Sequence, residues 1–184
     1  MIGWILLIIV VIMVIIYIVL YNNLQIAKID TEEAWSQIDV QLQRRNDLIP
    51  NLVETTKGYA KHERETFAEV VKLRDELMAL PDDEHQQKMA LSNQLTDALK
   101  SIFALSENYP DLKASQEFSQ LQEELTNTEN KIAYSRQLFN SAAAFYNQKL
   151  VTFPSRIIGK IHHMQKINYL SVPQSVHEVP QVKF

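Results

Sequence analysis

Residues 2–20 form an unbroken apolar run, IGWILLIIVVIMVIIYIVL, that contains no charged side chain. At roughly 1.5 Å per residue, a helix of this length spans about 30 Å, which matches the hydrocarbon core of a bilayer. Trp4 lies near one end and Tyr17 and Tyr21 near the other, where aromatic rings prefer the headgroup level. A cleaved signal peptide needs a basic start, a shorter apolar stretch and a small-residue cleavage site, which are missing here. The run therefore predicts one transmembrane anchor over residues 1–23.

Charged side chains are spread unevenly along the rest of the chain. Residues 24–153 carry more acidic than basic side chains, whereas residues 154–171 carry Arg156, Lys160 and Lys166 and no acidic one. A body without excess positive charge forfeits the counterion release that supplies most non-specific affinity for DNA or RNA. We therefore expect no nucleic acid partner.

Scarce residue types exclude several chemistries. The absence of cysteine excludes disulfides, thiolate catalysis and zinc sites built on sulfur. Only three glycines occur, Gly3, Gly58 and Gly159, so no glycine-rich loop can hold a phosphate. The HERET stretch at 62–66 lacks the second histidine of a zinc-protease helix, and no histidine follows a glutamate by three residues as in di-iron bundles. We predict no catalytic, cofactor-binding or metal-binding residue, and no enzymatic activity.

Beyond the anchor, apolar, small and a few polar residues recur in steps of three and four, which is the period of a packed helix. Asp30 and Glu33 could form a capping box that starts a new helix, but the unbroken period favours one helix that continues from the membrane. The recurring positions are Leu24, Ala27, Thr31, Ala34, Ile38, Gln41, Arg45, Leu48, Leu52, Thr56 and Tyr59.

Two features interrupt this first helical stretch. Pro50 has no backbone donor and crowds the carbonyl of Asn46, so a kink or a break is expected around residues 46–50. Gly58 and the polar residues 61–64 mark a turn after it.

Prolines also separate the later helices. Pro81 ends the second helical stretch, and a third begins at about residue 84 and ends near residue 108. Pro110 suits the first turn of the helix that follows, where its missing donor costs nothing. The expected core positions of the middle stretches are Phe67, Val70, Arg74 and Leu77, then Leu91, Leu95, Ala98, Ile102 and Leu105.

The last helix has the clearest period, which continues for about five heptads and favours lengthwise packing at shallow crossing angles. We predict an all-α protein: an N-terminal transmembrane helix followed by an antiparallel up-and-down four-helix bundle. The alternative is three long helices, with residues 24–80 forming one bent helix. The stripe of the last helix is Phe118, Leu121, Leu125, Thr128, Ile132, Ser135, Phe139, Ala142, Tyr146, Leu150 and Phe153.

Several polar residues fall on or beside these stripes. Buried polar groups destabilise a protein unless they are paired, and such pairs often fix the register of a helical bundle. We interpret them as structural pairs; a ligand or ion site inside the bundle and surface exposure are the alternatives. Gln41, Arg45, Thr128 and Ser135 lie on the stripes, and Asp39, Glu129, Asn130, Tyr134 and Asn147 lie near them.

Residues 154–170 combine apolar and basic side chains. Ile157, Ile161 and Met164, and with them Asn168 if the helix extends that far, share one side of a helix. Lys160 and Lys166 are nearby. Such a segment can lie on an anionic membrane surface; capping of the bundle or an oligomer contact is the alternative.

The C-terminal end holds no convincing metal site. His162 and His163 are adjacent, and adjacent side chains on a helix diverge, which disfavours a shared metal. Residues 171–184, with Pro173 and Pro180, are predicted to be a flexible tail.

Three stretches of the sequence closely resemble the bacterial LemA family. They are EAWSQIDVQLQRRNDLIPNLVETTKGYAKHE at 33–63, NYPDLKASQEFSQLQEELTNTENKIAYSRQLFN at 108–140 and FYNQKLVTFPS at 145–155. The resemblance implies a single-pass protein of the bacterial inner membrane, with its N-terminus outside, an antiparallel four-helix bundle over residues 24–153 and no established activity. After Gly159 the sequence departs from the family pattern.

The orientation follows from the basic residues. None precedes the anchor, whereas Lys28, Arg44 and Arg45 follow it, so we expect the N-terminus outside and the bundle in the cytoplasm.

Our first hypothesis is a non-catalytic, membrane-anchored scaffold or interaction module whose partners are the lipid bilayer and further copies of itself. Because some LemA members lie near membrane metalloproteases in genomes, an adaptor or regulator of a membrane protease or other envelope protein is the second hypothesis. A ligand- or ion-binding bundle is the third.

Overall fold

The computed structural model describes residues 2–60 and 63–171. Within these residues the chain is almost entirely helical and forms no strand, which confirms the predicted all-α class. The helices are α1 (Ile2–Lys57), α2 (Arg64–Ala79), α3 (His85–Leu105), a 3-10 turn (Ser106–Asn108), α4 (Pro110–Lys113), α5 (Gln116–Val151) and α6 (Ser155–Ile161).

Helix α1 contains both the predicted anchor and the first helix of the body. It continues without interruption through Asp30 and Glu33, as the periodicity indicated, so no new helix is capped there. Its apolar N-terminal part has the length and composition to cross a membrane, and none of that stretch is buried inside the protein.

Of the kink or break expected around residues 46–50, the break does not occur, and a side chain from α2 compensates for the backbone donor that Pro50 lacks. Pro50 lies inside α1, which continues to Lys57. The carbonyl oxygen of Asn46 would normally accept the N–H of residue 50. Instead, Nε of Arg74 donates to that oxygen at 3.0 Å. The Arg74 side chain thus satisfies the acceptor that proline leaves open within the helix.

The later helices begin and end at the predicted turns, except that the last long helix does not begin at the predicted proline. Helix α1 ends at Lys57 and α2 begins at Arg64, so one bent helix over residues 24–80 is wrong. Pro110 begins only the four-residue α4. The long α5 starts separately, where the hydroxyl of Ser115 accepts the N–H of Phe118 at 3.3 Å. The antiparallel bundle arrangement of the four longer helices stays a prediction.

The described residues fall into two compact units, each with its own buried side chains. Residues 38–134 form one unit with residues 170–171, and its core joins apolar side chains of α1, α2, α3, α4 and α5. The other unit consists of residues 2–37 and 135–169. Its buried side chains include Trp35, whose ring meets the edge of Phe139 at a centroid distance of 6.0 Å.

Most of the predicted stripe positions are buried, but the last position of the first stripe and the last position of the final stripe are wrong. Tyr59 is 44% exposed and Phe153 is 82% exposed. Both residues lie beyond the helices that were expected to contain them, since α1 ends at Lys57 and α5 ends at Val151. Within α1, a strict heptad pattern has a period of 3.5 residues, whereas an ordinary helix has 3.6, so the pattern falls behind the buried face. Leu42 and Ala60 are buried where the strict pattern named Gln41 and Tyr59.

The predicted amphipathic segment after α5 is helical only over Ser155–Ile161, so Met164 lies beyond the helix. Phe153 and Pro154 are joined by a cis peptide bond, α6 follows, and His163 ends it with a left-handed backbone at φ 51°. The predicted flexible tail lies, except for Ser171, outside the described residues.

Candidate functional site

The guanidinium of Arg45 forms the centre of a buried polar cluster within residues 38–134. Arg45 lies on the core face of α1 and is only 1% exposed. One terminal nitrogen, Nη1, donates to Oε2 of Glu129 and to Oγ1 of Thr96, both at 3.0 Å. The other, Nη2, donates to the hydroxyl of Ser92 at 2.8 Å. The cluster therefore links α1, α3 and α5.

Hydrogen bonds among the partners complete the cluster. The Thr96 hydroxyl lies 3.0 Å from Oε2 of Glu129 and also 3.0 Å from the backbone oxygen of Ser92. Glu129 is 32% exposed, so its carboxylate keeps some contact with solvent while it neutralises the arginine. Buried charges persist only when they are paired and hydrogen-bonded, and this cluster meets both conditions with its own side chains.

The neighbouring Arg44 has the opposite environment. Its ion pair with Glu124 spans 3.7 Å, and both side chains are 50% exposed. Solvent-exposed pairs of this kind contribute little to stability. Arg44 and Arg45 therefore carry the same charged group, but only Arg45 is buried.

A second buried cation lies at the start of α3. Nζ of Lys88 contacts Oδ1 of Asp82 at 2.8 Å and Oδ1 of Asp39 at 3.2 Å, and the Lys88 side chain is 7% exposed. Burial opposes the charged form of this amine and is the largest influence, but the two carboxylates outweigh it and raise the pKa of Lys88. The hydrogen bond and the charge of Lys88 lower the pKa of Asp82.

His85 lies in the first turn of α3, close to this cation. Burial is the main cause that lowers the pKa of His85 below 6.5, and the charge of Lys88 adds to it. The carboxylates of Asp83 and Asp39 act in the opposite direction without reversing the shift. The surroundings of His85 in the folded protein therefore favour its neutral form.

The small cavity beside Lys88 is polar. It measures about 110 Å³ and is lined by polar side chains that include Asp39, Asn46 and Asp82. This volume would accommodate a few water molecules rather than an organic ligand. Among residues 2–60 and 63–171, no group of three His, Asp or Glu side chains converges in a way that could hold a metal ion.

The interpretation of the core-like polar residues as structural pairs fits most of them. Arg45, Thr128 and Ser135 are buried, and Thr128 donates to the backbone oxygen of Glu124 on its own helix at 2.8 Å. Asn147 is buried and pairs with the backbone of Ile167.

Other polar residues singled out from the sequence are not buried. Gln41 is half-buried, whereas Asn130 and Tyr134 are exposed. The latter two lie beside, and not on, the buried stripe of α5.

Sequence reasoning missed the contribution of α3 to the cluster. Lys88, Ser92 and Thr96 repeat every four residues and so share one face of α3. That polar face was overlooked because the apolar residues of the same helix dominated its pattern. The signal was present as a second stripe beside the apolar one.

Known proteins with similar sequences define a family and a set of distant relatives. The sequence profile of the LemA family matches residues 34–184. The chain is 25% identical over 139 residues to Protein LemA of Metamycoplasma hominis, covering 76% of this chain and 63% of that protein. It is 23% identical over 184 residues to Magnetosome protein MamQ of Magnetospirillum gryphiswaldense, covering 87% and 65% respectively. For Magnetosome protein MamQ 2 of Paramagnetospirillum magneticum the identity is 23% over 173 residues, covering 81% and 64%. The chain thus spans less than two thirds of the length of these relatives.

Proposed function

Since this chain belongs to the LemA family, we propose that it is a non-catalytic, membrane-anchored helical protein that acts as an oligomeric scaffold or interaction module at a bacterial inner membrane. The observation that carries this proposal is the composition of α1. One helix contains an apolar stretch that the protein leaves entirely unburied and, after it, the side chains that form the core of the body. Lipid is the solvent that would cover the first part.

The polar core supports a structural rather than a catalytic role. The arginine of the buried cluster donates to Ser92, Thr96 and Glu129 of the same chain. A ligand or ion site needs convergent polar groups with space for an occupant, whereas here the groups bind one another. The names of the relatives also denote no enzymatic activity.

Exposed apolar side chains of the body support self-association. On α1, Ile26 is 55% exposed and Ile29 is 56% exposed, and on α5 Phe145 is 52% exposed. Side chains of this kind are common at contacts between proteins. A shared anchor would concentrate the copies in the plane of a membrane and favour weak contacts between them.

The test is the oligomeric state of the full-length protein in detergent and in lipid nanodiscs, measured by light scattering over a range of concentrations. Ile29→Glu should shift the population toward monomer. Gln37→Glu, which adds the same charge at another exposed position of α1, should leave it unchanged. A wild-type protein that is monomeric at every accessible concentration would contradict self-association.

Affinity purification from membranes separates the scaffold from an adaptor of a membrane protease or other envelope protein. Recovery of further copies alone supports the scaffold. A stoichiometric membrane protease that is recovered together with the chain, and lost on cleavage of the anchor from the body, would instead support the adaptor. The orientation, with a cytoplasmic body, is tested in the same cells by labelling single cysteines with a reagent that does not cross membranes.

A further inference from the structure

The segment that follows α5 lies beside the end of the apolar run within the unit formed by residues 2–37 and 135–169. Nε2 of His162 is 2.7 Å from the hydroxyl of Tyr17. The ring of His162 also faces that of Tyr21, with a centroid distance of 4.7 Å. Lys149 near the end of α5 donates to the backbone oxygen of Asn23 at 3.5 Å. The segment is therefore placed at the level where the apolar run gives way to polar residues.

Two further contacts fix the segment in this place. The side chain of Asn147 donates to the backbone oxygen of Ile167 at 2.8 Å and accepts the N–H of the same residue at 2.9 Å. Gly159 lies so close to Leu150 that a Cβ atom would be 2.8 Å from Cδ2 of that side chain. A glycine at this position allows α6 to pack tightly against the end of α5.

Helix α6 has two distinct faces. Ile158 and Gly159 are buried against the rest of the unit. Ile157 is 51% exposed and Ile161 is 58% exposed, and Phe153 just before the helix is 82% exposed. These three large apolar side chains are exposed within nine residues of one another, and water would solvate them poorly.

The charge of the segment indicates what covers this surface. Arg156, Lys160 and Lys166 are its charged side chains, and residues 154–171 contain no carboxylate. Basic residues that accompany exposed apolar ones favour the anionic headgroups of a membrane, and tyrosines such as Tyr17 lie at that depth in membrane helices. Binding of an acidic protein would not explain why this surface lies beside the apolar run. A bilayer would explain it, because the proposed anchor would cross the bilayer at this place.

We propose that residues 153–161 form a second membrane contact, in which Phe153, Ile157 and Ile161 enter the interface of a bilayer that contains anionic phospholipid. This inference rests on the anchor of the proposed function. The anchor and α6 would hold the unit formed by residues 2–37 and 135–169 at the membrane in two places. Such a contact would restrict how this unit is presented to other copies.

Because the chain has no cysteine, single probes can be placed in the full-length protein. The protein is reconstituted in nanodiscs of phosphatidylcholine with phosphatidylglycerol, and a fluorophore is attached at Ile157→Cys or Ile161→Cys. Tyr134→Cys, 63% exposed on α5, is the matched control, and Val10→Cys reports the anchor. We expect nitroxide-labelled lipid to quench the probes at 157 and 161 and aqueous iodide to quench only the probe at 134.

The outcomes separate the two proposals. If the probes at 157 and 161 are as accessible to iodide as the probe at 134, the second contact does not exist. If they are protected from iodide but not quenched by lipid, another protein copy covers the surface and the inference is overturned. Quenching of the Val10→Cys probe by lipid in either case leaves the anchor intact, whereas its accessibility to iodide would refute the proposed function itself.

Charge reversal tests the preference for anionic lipid. Lys160→Glu should lower the ratio of membrane-docked to undocked α6, read from lipid quenching of the probe at 157, by at least about fivefold. One basic side chain near an anionic surface contributes about 1 kcal/mol, and charge reversal removes at least this. Lys131→Glu, at an exposed position of α5, should leave the ratio unchanged. Equal lipid quenching in nanodiscs of phosphatidylcholine alone would contradict the role of anionic headgroups.

Discussion

The two parts of α1, residues 2–20 and residues 24–57, differ in whether their apolar side chains are covered: the first part leaves them exposed and the second buries many of them together with a charged residue. Every residue from Ile2 to Val19 is exposed. All of them are apolar or aromatic, apart from one glycine. In the second half, Arg45 is among the largest fully buried side chains of the protein. One continuous helix thus exposes its least polar residues and buries a charged one.

The difference shows that residue type alone does not decide which side chains the protein covers, because the surroundings of each part of the helix also matter. Exposure of apolar surface to water costs about 25 cal/mol per Å², so the first half is compatible with a stable protein when lipid surrounds it. Burial of a charge is tolerated when it is paired and hydrogen-bonded, as the terminal nitrogens of Arg45 are with Ser92, Thr96 and Glu129. Four changes to the chain test this comparison.

The largest effect is expected from charges in the first half. The double variant Ile9→Arg with Met13→Arg should reduce membrane integration strongly, because each arginine near the centre of a bilayer costs about 2.5–3.5 kcal/mol on insertion scales. Asn22→Arg, just beyond the apolar run, should not. The measurement is the fraction of protein that resists extraction from membranes by alkaline carbonate. Unchanged integration of the double variant would show that this half is not surrounded by lipid.

Loss of the buried arginine should give the next largest effect. Arg45→Met leaves Glu129 without its cationic partner, and we expect a loss of about 3 kcal/mol in the free energy of unfolding. Arg44→Met, which removes an exposed pair, should change it by less than about 0.5 kcal/mol. Urea unfolding in detergent measures both. A binding defect of Arg45→Met with unchanged stability would point to a ligand site instead.

Pro50 and Arg74 should show coupled effects on stability. Arg74→Met leaves the carbonyl of Asn46 without its donor, which should cost about 1–2 kcal/mol. In a Pro50→Ala background the same change should cost less, because the restored N–H at position 50 can bond to that carbonyl. A double-mutant cycle of unfolding free energies measures the coupling, and additive effects would refute this explanation of the uninterrupted helix.

The smallest effect concerns the charge next to His85. NMR titration should give a pKa below 6.5 for His85, and Lys88→Met should raise it, because the neighbouring cation would be removed. The unfolded chain binds the proton more readily than the folded one, so stability should decline as pH falls through 6.5. A His85 pKa above 6.5 in the wild-type protein would contradict the assigned burial.

Much of this architecture could be predicted from the sequence because it depends on local patterns. An uncharged apolar run specified the anchor stretch of α1, and a period of three and four residues specified the body helices. The uninterrupted helix at Pro50 could not be predicted, since it depends on Arg74, a residue of a different helix. The partners Ser92 and Thr96 of Arg45 were missed for the same reason: periodicity reveals which face of a helix is buried but not which side chains meet there.

If the proposed function is correct, α1 passes from lipid into a protein core within one helix. Single cysteines placed along α1 of the full-length protein in nanodiscs, each carrying a spin label, test it through their accessibility to oxygen and to a water-soluble nickel complex. We predict uniform exposure to lipid from Ile5 to Val19 and, after Leu24, alternation between buried and water-exposed positions with a period of about 3.6 residues. If the labels from Ile5 to Val19 showed the same helical alternation, or if all of them were accessible to the nickel complex, this stretch would not be surrounded by lipid.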